Sequence, residues 1–64
     1  MKVRDVLQLL YEDGWRITRT RGSHRIFRHS GKPGIVVVPG KPSDDVPPGT
    51  LSAILKQAGL RRRS

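Results

Sequence analysis

The spacing of apolar residues predicts two helices, one near each end of the chain. In the first, apolar residues recur at i, i+3, i+4 and i+7, namely Val3, Val6, Leu7 and Leu10. The second repeats this spacing with Leu51, Ile54, Leu55 and Ala58, and Pro48 suits its first turn. The helices should end at Gly14 and Gly59, because glycine adopts the left-handed conformation that closes a helix C-terminus without a Cβ clash.

Between the helices the pattern changes to the alternation that is typical of strands. Residues 15–19 alternate apolar and polar side chains, and a turn around Arg21-Gly22-Ser23 leads into a second strand from His24 to His29. A further turn is predicted at residues 30–34, followed by a β-branched strand, Ile35 to Val38, which we expect to be buried on both faces or nearly so. The proline-rich residues 39–48 predict a connecting loop.

These elements give the order α-β-β-β-α and an α+β fold, in which a three-stranded antiparallel sheet carries both helices on one face. The opposite face should lie in water and form a binding surface. We expect a single domain over residues 1–64, with 61–64 as a basic tail. The simplest interpretation of this tail is a frayed, solvated end, and a direct contact with phosphate is the weaker alternative.

Alternation along the second strand predicts which residues share the open face. Phe27 is the candidate core residue, so His24 and Arg28 should point the other way. By the same rule, the first strand contributes Arg16 and Thr18 to the open face and points Trp15 and Ile17 inward. A slip of one residue or a bulge at Ser23 would reverse this assignment, since side-chain direction has a period of two.

The charge balance points to a polyanionic partner. Thirteen Lys and Arg against five Asp and Glu give a net charge of +8, and residues 14–43 contain seven Lys or Arg and no acidic residue. Such a charge favours salt-sensitive binding to phosphate backbones. The chain has no cysteine, and no acidic residue lies near its two histidines between Asp13 and Asp44, so we expect neither a metal nor another cofactor.

Nothing in the pattern predicts contact with a membrane. The longest apolar run, Ile35 to Val38, is far shorter than the ~20 residues that span a bilayer. The first residues lack the apolar region of a secretory signal. We therefore expect a cytoplasmic protein.

Gly22-Ser23-His24 is the segment that most indicates chemistry. Histidine ordinarily titrates close to neutral pH, and RNA carries a built-in nucleophile, the 2'-hydroxyl, beside each phosphate. An imidazole in a basic field therefore indicates phosphodiester cleavage with His24 as the catalytic residue. Gly22 would allow close approach of the nucleic-acid backbone, and the Ser23 hydroxyl would contact a phosphate oxygen.

Three arginines complete the candidate RNA-binding set: Arg16, Arg21 and Arg28 would hold the RNA backbone and stabilise the charge that develops on the phosphate.

Other interpretations stay open for the histidines. His24 would, in the simplest alternative, only bind phosphate or cap the turn. His29, at a strand end, is interpreted as a surface or phosphate-contacting residue. The second group that must transfer a proton is not identified by the sequence.

Several segments together resemble the HicA (YcfA-like) toxin family. They are Asp13-Gly14-Trp15, Gly22-Ser23-His24, Arg28-His29, Val37-Val38-Pro39, Gly49-Thr50-Leu51 and residues 54–59. The resemblance covers nearly the whole chain and implies a double-stranded-RNA-binding-domain-like fold, cleavage of mRNA and inhibition by an acidic HicB-like antitoxin. It places the family's catalytic histidine at His24 and its glycine at Gly22. The family often has a histidine in the loop before the second helix, where this chain has none.

The function predicted is therefore that of a metal-independent endoribonuclease, the toxin of a type II toxin-antitoxin pair. A non-catalytic RNA-binding module with the same fold is the main alternative, and a small basic protein that binds DNA without chemistry is another. Replacement of His24 separates the classes, since a binding module should tolerate alanine there.

Overall fold

The computed structural model describes residues 1–60, and its elements follow the predicted order α-β-β-β-α. The helices are α1, Val3–Asp13, and α2, Pro48–Gln57. The strands are β1, Arg16–Arg21; β2, His24–His29; and β3, Lys32–Val38. They pair antiparallel in the order β1-β2-β3, so β2 is central and the other two are edges. The α+β class is confirmed, while the predicted basic tail lies outside the described residues.

Both helices pack on the same face of the sheet. Trp15 and Phe27, the largest side chains of the core, are each 0% exposed. Around them lie the apolar faces of the helices and the inward residues of β3: Val3, Val6, Leu10, Val36, Val38, Val46, Leu51, Ile54, Leu55 and Ala58. The predicted core roles of Phe27 and Trp15 are confirmed.

Both helices end at the glycines that the sequence analysis predicts. Gly14 has φ 103° and Gly59 has φ 72°. The N–H of Trp15 donates to the carbonyl of Leu10 at 2.9 Å, and that of Leu60 to Leu55 at 2.8 Å. These are the six-to-one hydrogen bonds of the Schellman motif, which satisfy the last carbonyls of a helix.

The loop between β3 and α2 caps the start of α1. The N–H of Val3 donates to the carbonyl of Asp44 at 2.9 Å, and the N–H of Arg4 to that of Pro42 at 3.1 Å. The first amides of a helix have no partner within the helix, and here the distant loop supplies one for two of them. The same loop buries Val46, which is 6% exposed. The predicted connector is thus bonded to the helix layer.

Strand β3 differs from the prediction in length and in burial. It begins at Lys32, so the preceding turn consists of Ser30-Gly31 alone, and Gly34, with φ 80°, lies within an irregularity of the strand. Ile35 is 43% exposed. The expectation that this strand is buried on both faces is wrong, because both helices cover the same face and nothing among residues 1–60 covers the other.

Ile17 lies on the helix-covered face of the sheet, as predicted, but it is not buried. It pairs with Phe27, yet 39% of it is exposed, so it does not join the core. Strand β1 is exposed along its whole length, as an edge strand with a neighbour on one side only. The pairing with β2 shifts by one residue between Ile17 and Arg19, which leaves Thr18 in a bulge.

A polar cluster around Asp13 joins the ends of both helices to the sheet. The Asp13 carboxylate forms an ion pair with Lys32 and accepts a hydrogen bond from the Trp15 indole at 3.1 Å. Lys32 also donates to the carbonyl of Ala58, at the end of α2, at 2.9 Å. The hydrogen bond from Lys32 lowers the pKa of Asp13, its charge and the Trp15 hydrogen bond act in the same direction, and burial opposes them.

This pKa predicts a loss of stability in acid. A carboxyl group whose pKa is lower in the folded state stabilises the fold above its unfolded pKa of about 3.9, and this stabilisation is lost as the pH falls through the folded pKa. Asp13→Asn should therefore lower the free energy of unfolding at pH 7 and flatten its decline below about pH 4. Urea unfolding across this pH range measures both effects. Asp45→Asn, at a carboxylate that is 75% exposed, is the control and should behave like the wild type.

Candidate nucleic-acid interface

His24 lies at the tip of the β1-β2 hairpin. It pairs with Arg21 across the strands, so only Gly22 and Ser23 form the turn. Gly22 has φ 59°, whereas the φ of Ser23 is not positive. A positive φ at the first central residue alone is typical of the type II′ turn, which favours glycine there. The turn thus presents the His24 side chain, which is exposed, at the end of the sheet.

The open face of the sheet, opposite the helices, carries the cations. Strand alternation places His24, Ile26 and Arg28 on the side away from buried Phe27. Cross-strand partners share a face, and β1 sets one arginine opposite each of these three residues. The pairs are Arg21 with His24, Arg19 with Ile26, and Arg16 with Arg28.

Arg19 is the residue of this face that sequence reasoning missed. Unbroken alternation from Arg16 would place Thr18 on the open face and turn Arg19 toward the helices. The bulge at Thr18 brings Arg19 into register with Ile26 instead. No sequence motif in residues 16–21 marks the bulge in advance.

The predicted RNA-binding residue Arg16 makes contacts within the protein. Its guanidinium donates to the carbonyls of Tyr11 at 3.0 Å and Trp15 at 2.8 Å. It also lies 5.8 Å from the centroid of the Tyr11 ring. A cation is favoured at the C-terminal end of a helix, and this position draws Arg16 away from the like charge of Arg28. Arg16 is therefore less available to a ligand than the other arginines of the open face.

The other Lys and Arg side chains of residues 14–43 also fall into two groups, those that contact the protein and those that do not. Arg25 donates to the carbonyl of Gly40 at 2.7 Å and so holds the loop after β3, while Lys32 belongs to the Asp13 cluster. Within residues 1–60, the guanidinium groups of Arg19, Arg21 and Arg28 take part in no hydrogen bond or ion pair. These three arginines, with His24, are the groups that the open face offers to a ligand.

His29 is a structural histidine, so its interpretation as a surface or phosphate-contacting residue is wrong. Its Nδ1 accepts a hydrogen bond from the N–H of Gly31 at 2.8 Å. The other nitrogen, Nε2, therefore carries the proton and donates to the carbonyl of Asp13 at 2.6 Å. The ring packs edge-on against Trp15, with 5.3 Å between the centroids. The contacts with Asp13 and Trp15 join residues far apart in the chain, which is why the sequence did not indicate them.

The described part of the chain offers neither a metal site nor a membrane span. No group of three or more His, Cys, Asp or Glu side chains comes together within residues 1–60. No helix in that range is long and apolar enough to cross a bilayer.

Comparison with protein families gives a match over most of the chain. A family model described as the HicA toxin of bacterial toxin-antitoxin matches residues 3–60. The match includes both helices, all three strands and the turn that precedes His24. No curated protein matches the chain.

The turn geometry predicts how Gly22 can be replaced. Gly22→Ala should lower the free energy of unfolding by about 1–2 kcal/mol, since a Cβ disfavours the left-handed conformation. Gly22→Asn should recover part of this loss, because asparagine tolerates that conformation better. Gly49→Ala is the control: it lies in α2 without a positive φ and should be neutral or stabilising. Thermal or urea unfolding measures the three variants, and an equal loss at both glycines would contradict the assignment.

Proposed function

The chain belongs to the HicA toxin family of bacterial toxin-antitoxin systems, and we propose that it is an endoribonuclease that cleaves mRNA in the cytoplasm. The observation that carries the proposal is the pair of His24 and Arg21, which face each other at the exposed end of the sheet. A group that can transfer a proton thus stands beside a group that can bind a phosphate. Family membership favours a toxin over a general RNA-binding module.

In the proposed reaction, His24 accepts the proton of a 2'-hydroxyl as that oxygen attacks the adjacent phosphorus. The bond from phosphorus to the 5'-oxygen of the next nucleotide then breaks, which leaves a 2',3'-cyclic phosphate. The departing oxygen takes a proton from the protonated imidazole or from water. Arg21, across the strands from His24, stabilises the charge on the non-bridging oxygens.

The neighbouring residues extend the contact with RNA. A Cβ at Gly22 would meet no atom within 4 Å, so the space for close approach of an RNA backbone is open there. The exposed Ser23 hydroxyl can donate to a phosphate oxygen. Arg28 lies four residues beyond His24 on β2, roughly 13 Å along the strand, and would bind a flanking phosphate. Arg16 contributes chiefly through the overall positive field.

Two further features complete the proposal: the absence of a metal requirement and the inhibitor. We expect cleavage without a metal ion, because no cysteine occurs and residues 1–60 hold no cluster of metal-binding side chains. The resemblance to the family implies a HicB-like antitoxin as the inhibitor, and the net charge of +8 favours an acidic surface on it, since complementary charge speeds and selects association.

Replacement of His24 tests the catalytic assignment. His24→Ala should lower the rate of RNA cleavage by about 10²- to 10⁴-fold and leave the melting temperature unchanged, because general acid-base catalysis is worth this much and the side chain is exposed. Cleavage of a labelled transcript measures the rate. His29→Ala is the matched control: it should lower the melting temperature through loss of the Asp13 and Gly31 hydrogen bonds. Full cleavage by a folded His24→Ala protein would reject His24 as the catalytic residue, whereas a folded wild type that binds RNA without cleaving it would favour the non-catalytic binding module.

The chemistry of the substrate gives a second test. An RNA oligonucleotide with a single 2'-deoxyribose at the scissile position should not be cleaved, because the attacking nucleophile is missing. Cleavage of the all-ribose control should continue in excess EDTA and should leave a 2',3'-cyclic phosphate, detected by mass spectrometry. Cleavage of the deoxy substrate, or loss of activity on chelation, would exclude the proposed mechanism.

A further inference from the structure

A shallow hollow of about 420 Å³ lies in the open face next to the pair of His24 and Arg21. It is lined by Thr18, Arg19, Ile26, Arg28 and Ile35. Its floor consists of Ile26, which is half-buried, and Ile35, which is 43% exposed. The floor begins two residues along β2 from His24, roughly 7 Å away. The nucleotide beside a phosphate bound at His24 can therefore reach the hollow.

An arginine stands over this isoleucine floor. The Arg19 guanidinium takes part in no hydrogen bond or ion pair within residues 1–60. Unpaired RNA bases stack on aromatic rings or on guanidinium planes, and apolar side chains can cover their other face. The chain has one Trp, one Tyr and one Phe. Trp15 and Phe27 are buried beneath the helices, and Tyr11 lies on α1, so on this face the stacking plane has to come from arginine.

The bulge places a hydrogen-bond acceptor at the edge of the hollow. The Thr18 hydroxyl donates to the carbonyl of Ile26 at 3.3 Å. Because this bond uses the hydroxyl hydrogen, the oxygen can only accept a hydrogen bond from a ligand. Cytosine and adenine carry an exocyclic amino group that donates, whereas uracil has a carbonyl oxygen where cytosine has its amino group. The edge therefore favours an amino-bearing base over uracil.

We propose that this hollow holds one unpaired, amino-bearing base of the RNA, beside the scissile phosphate; this rests on the proposed function. The base lies on Ile26 and Ile35, and the Arg19 guanidinium stacks on its outer face. Its amino group donates to the Thr18 hydroxyl oxygen, while Arg28 contacts the flanking phosphate. Phosphate contacts carry no sequence information, so this subsite supplies a preference for sequence that the arginines alone would not.

Ile35→Thr tests the floor, since threonine keeps a β-branched residue in the strand and removes part of the apolar contact. The probes are labelled 2'-O-methyl oligomers of cytidine, of uridine and of abasic ribose phosphate, equal in length and lacking the attacking hydroxyl. Fluorescence anisotropy at one salt concentration measures their dissociation constants. The wild type should bind the cytidine oligomer about three- to tenfold more tightly than the uridine oligomer, and the abasic oligomer most weakly. Ile35→Thr should weaken binding of both base-bearing oligomers by about threefold or more and leave binding of the abasic oligomer unchanged.

Two further substitutions test the other contacts of the base. Thr18→Val keeps the shape of the side chain and removes the acceptor, so the preference for cytidine over uridine should disappear. Thr20→Val is its matched control, because Thr20 pairs with Arg25 on the other face of the sheet, and it should keep the preference. Arg19→Lys keeps the charge but removes the stacking plane, so it should weaken the base-bearing oligomers more than the abasic oligomer.

Ile17→Thr is the matched control for the floor, because Ile17 is 39% exposed but pairs with Phe27, away from the hollow. It should change no dissociation constant. The proposal is overturned if the wild type does not prefer the cytidine oligomer, or if it binds base-bearing and abasic oligomers equally, which would leave the floor to a protein partner. It is also overturned if Ile35→Thr weakens the abasic oligomer as much as the others, or if Ile17→Thr acts like Ile35→Thr. The expected pattern of binding without cleavage of an all-ribose transcript would support the subsite and reject the endoribonuclease; cleavage without that pattern would do the reverse.

Discussion

Burial of Trp15 and Phe27 beneath two helices is the interaction on which the rest of this structure depends. Each of these side chains is 0% exposed, and the apolar faces of α1 and α2 surround them. Because both helices lie on this side, the other face of the sheet meets solvent. Small chains bury a limited fraction of their surface, so a sheet covered on one face only is the expected outcome for 64 residues. The exposed face is consequently where a ligand can bind.

Some Lys and Arg side chains of the described residues stabilise the fold by contacting carbonyls, and others face solvent. Arg16 and Lys32 contact carbonyls at the ends of the helices, and Arg25 holds the loop after β3. These contacts offset the helix dipoles and supply donors to free carbonyls. They matter because the small core cannot bury every helix end. Arg19 and Arg21 stay available to a ligand. The same residue type therefore serves two purposes, and its position relative to the helices decides which.

A face that carries both exposed aliphatics and arginines can bind two classes of partner. A nucleic acid binds the arginines through its phosphates, whereas a protein partner gains additional binding free energy by burying the apolar surface.

The sequence by itself determined the helices, their glycine ends, the strand order and the side of the sheet on which His24 lies. These features depend on local spacing and on side-chain type, which are read directly from the chain. Tertiary structure alone decided the bulge at Thr18, which brings Arg19 to the open face, and the burial of only one face of β3. It also decided that His29 and Lys32 hold the end of α1, and that a distant loop caps its start. Each of these depends on contacts between residues far apart in the chain, and no local pattern of apolar and polar positions encodes them.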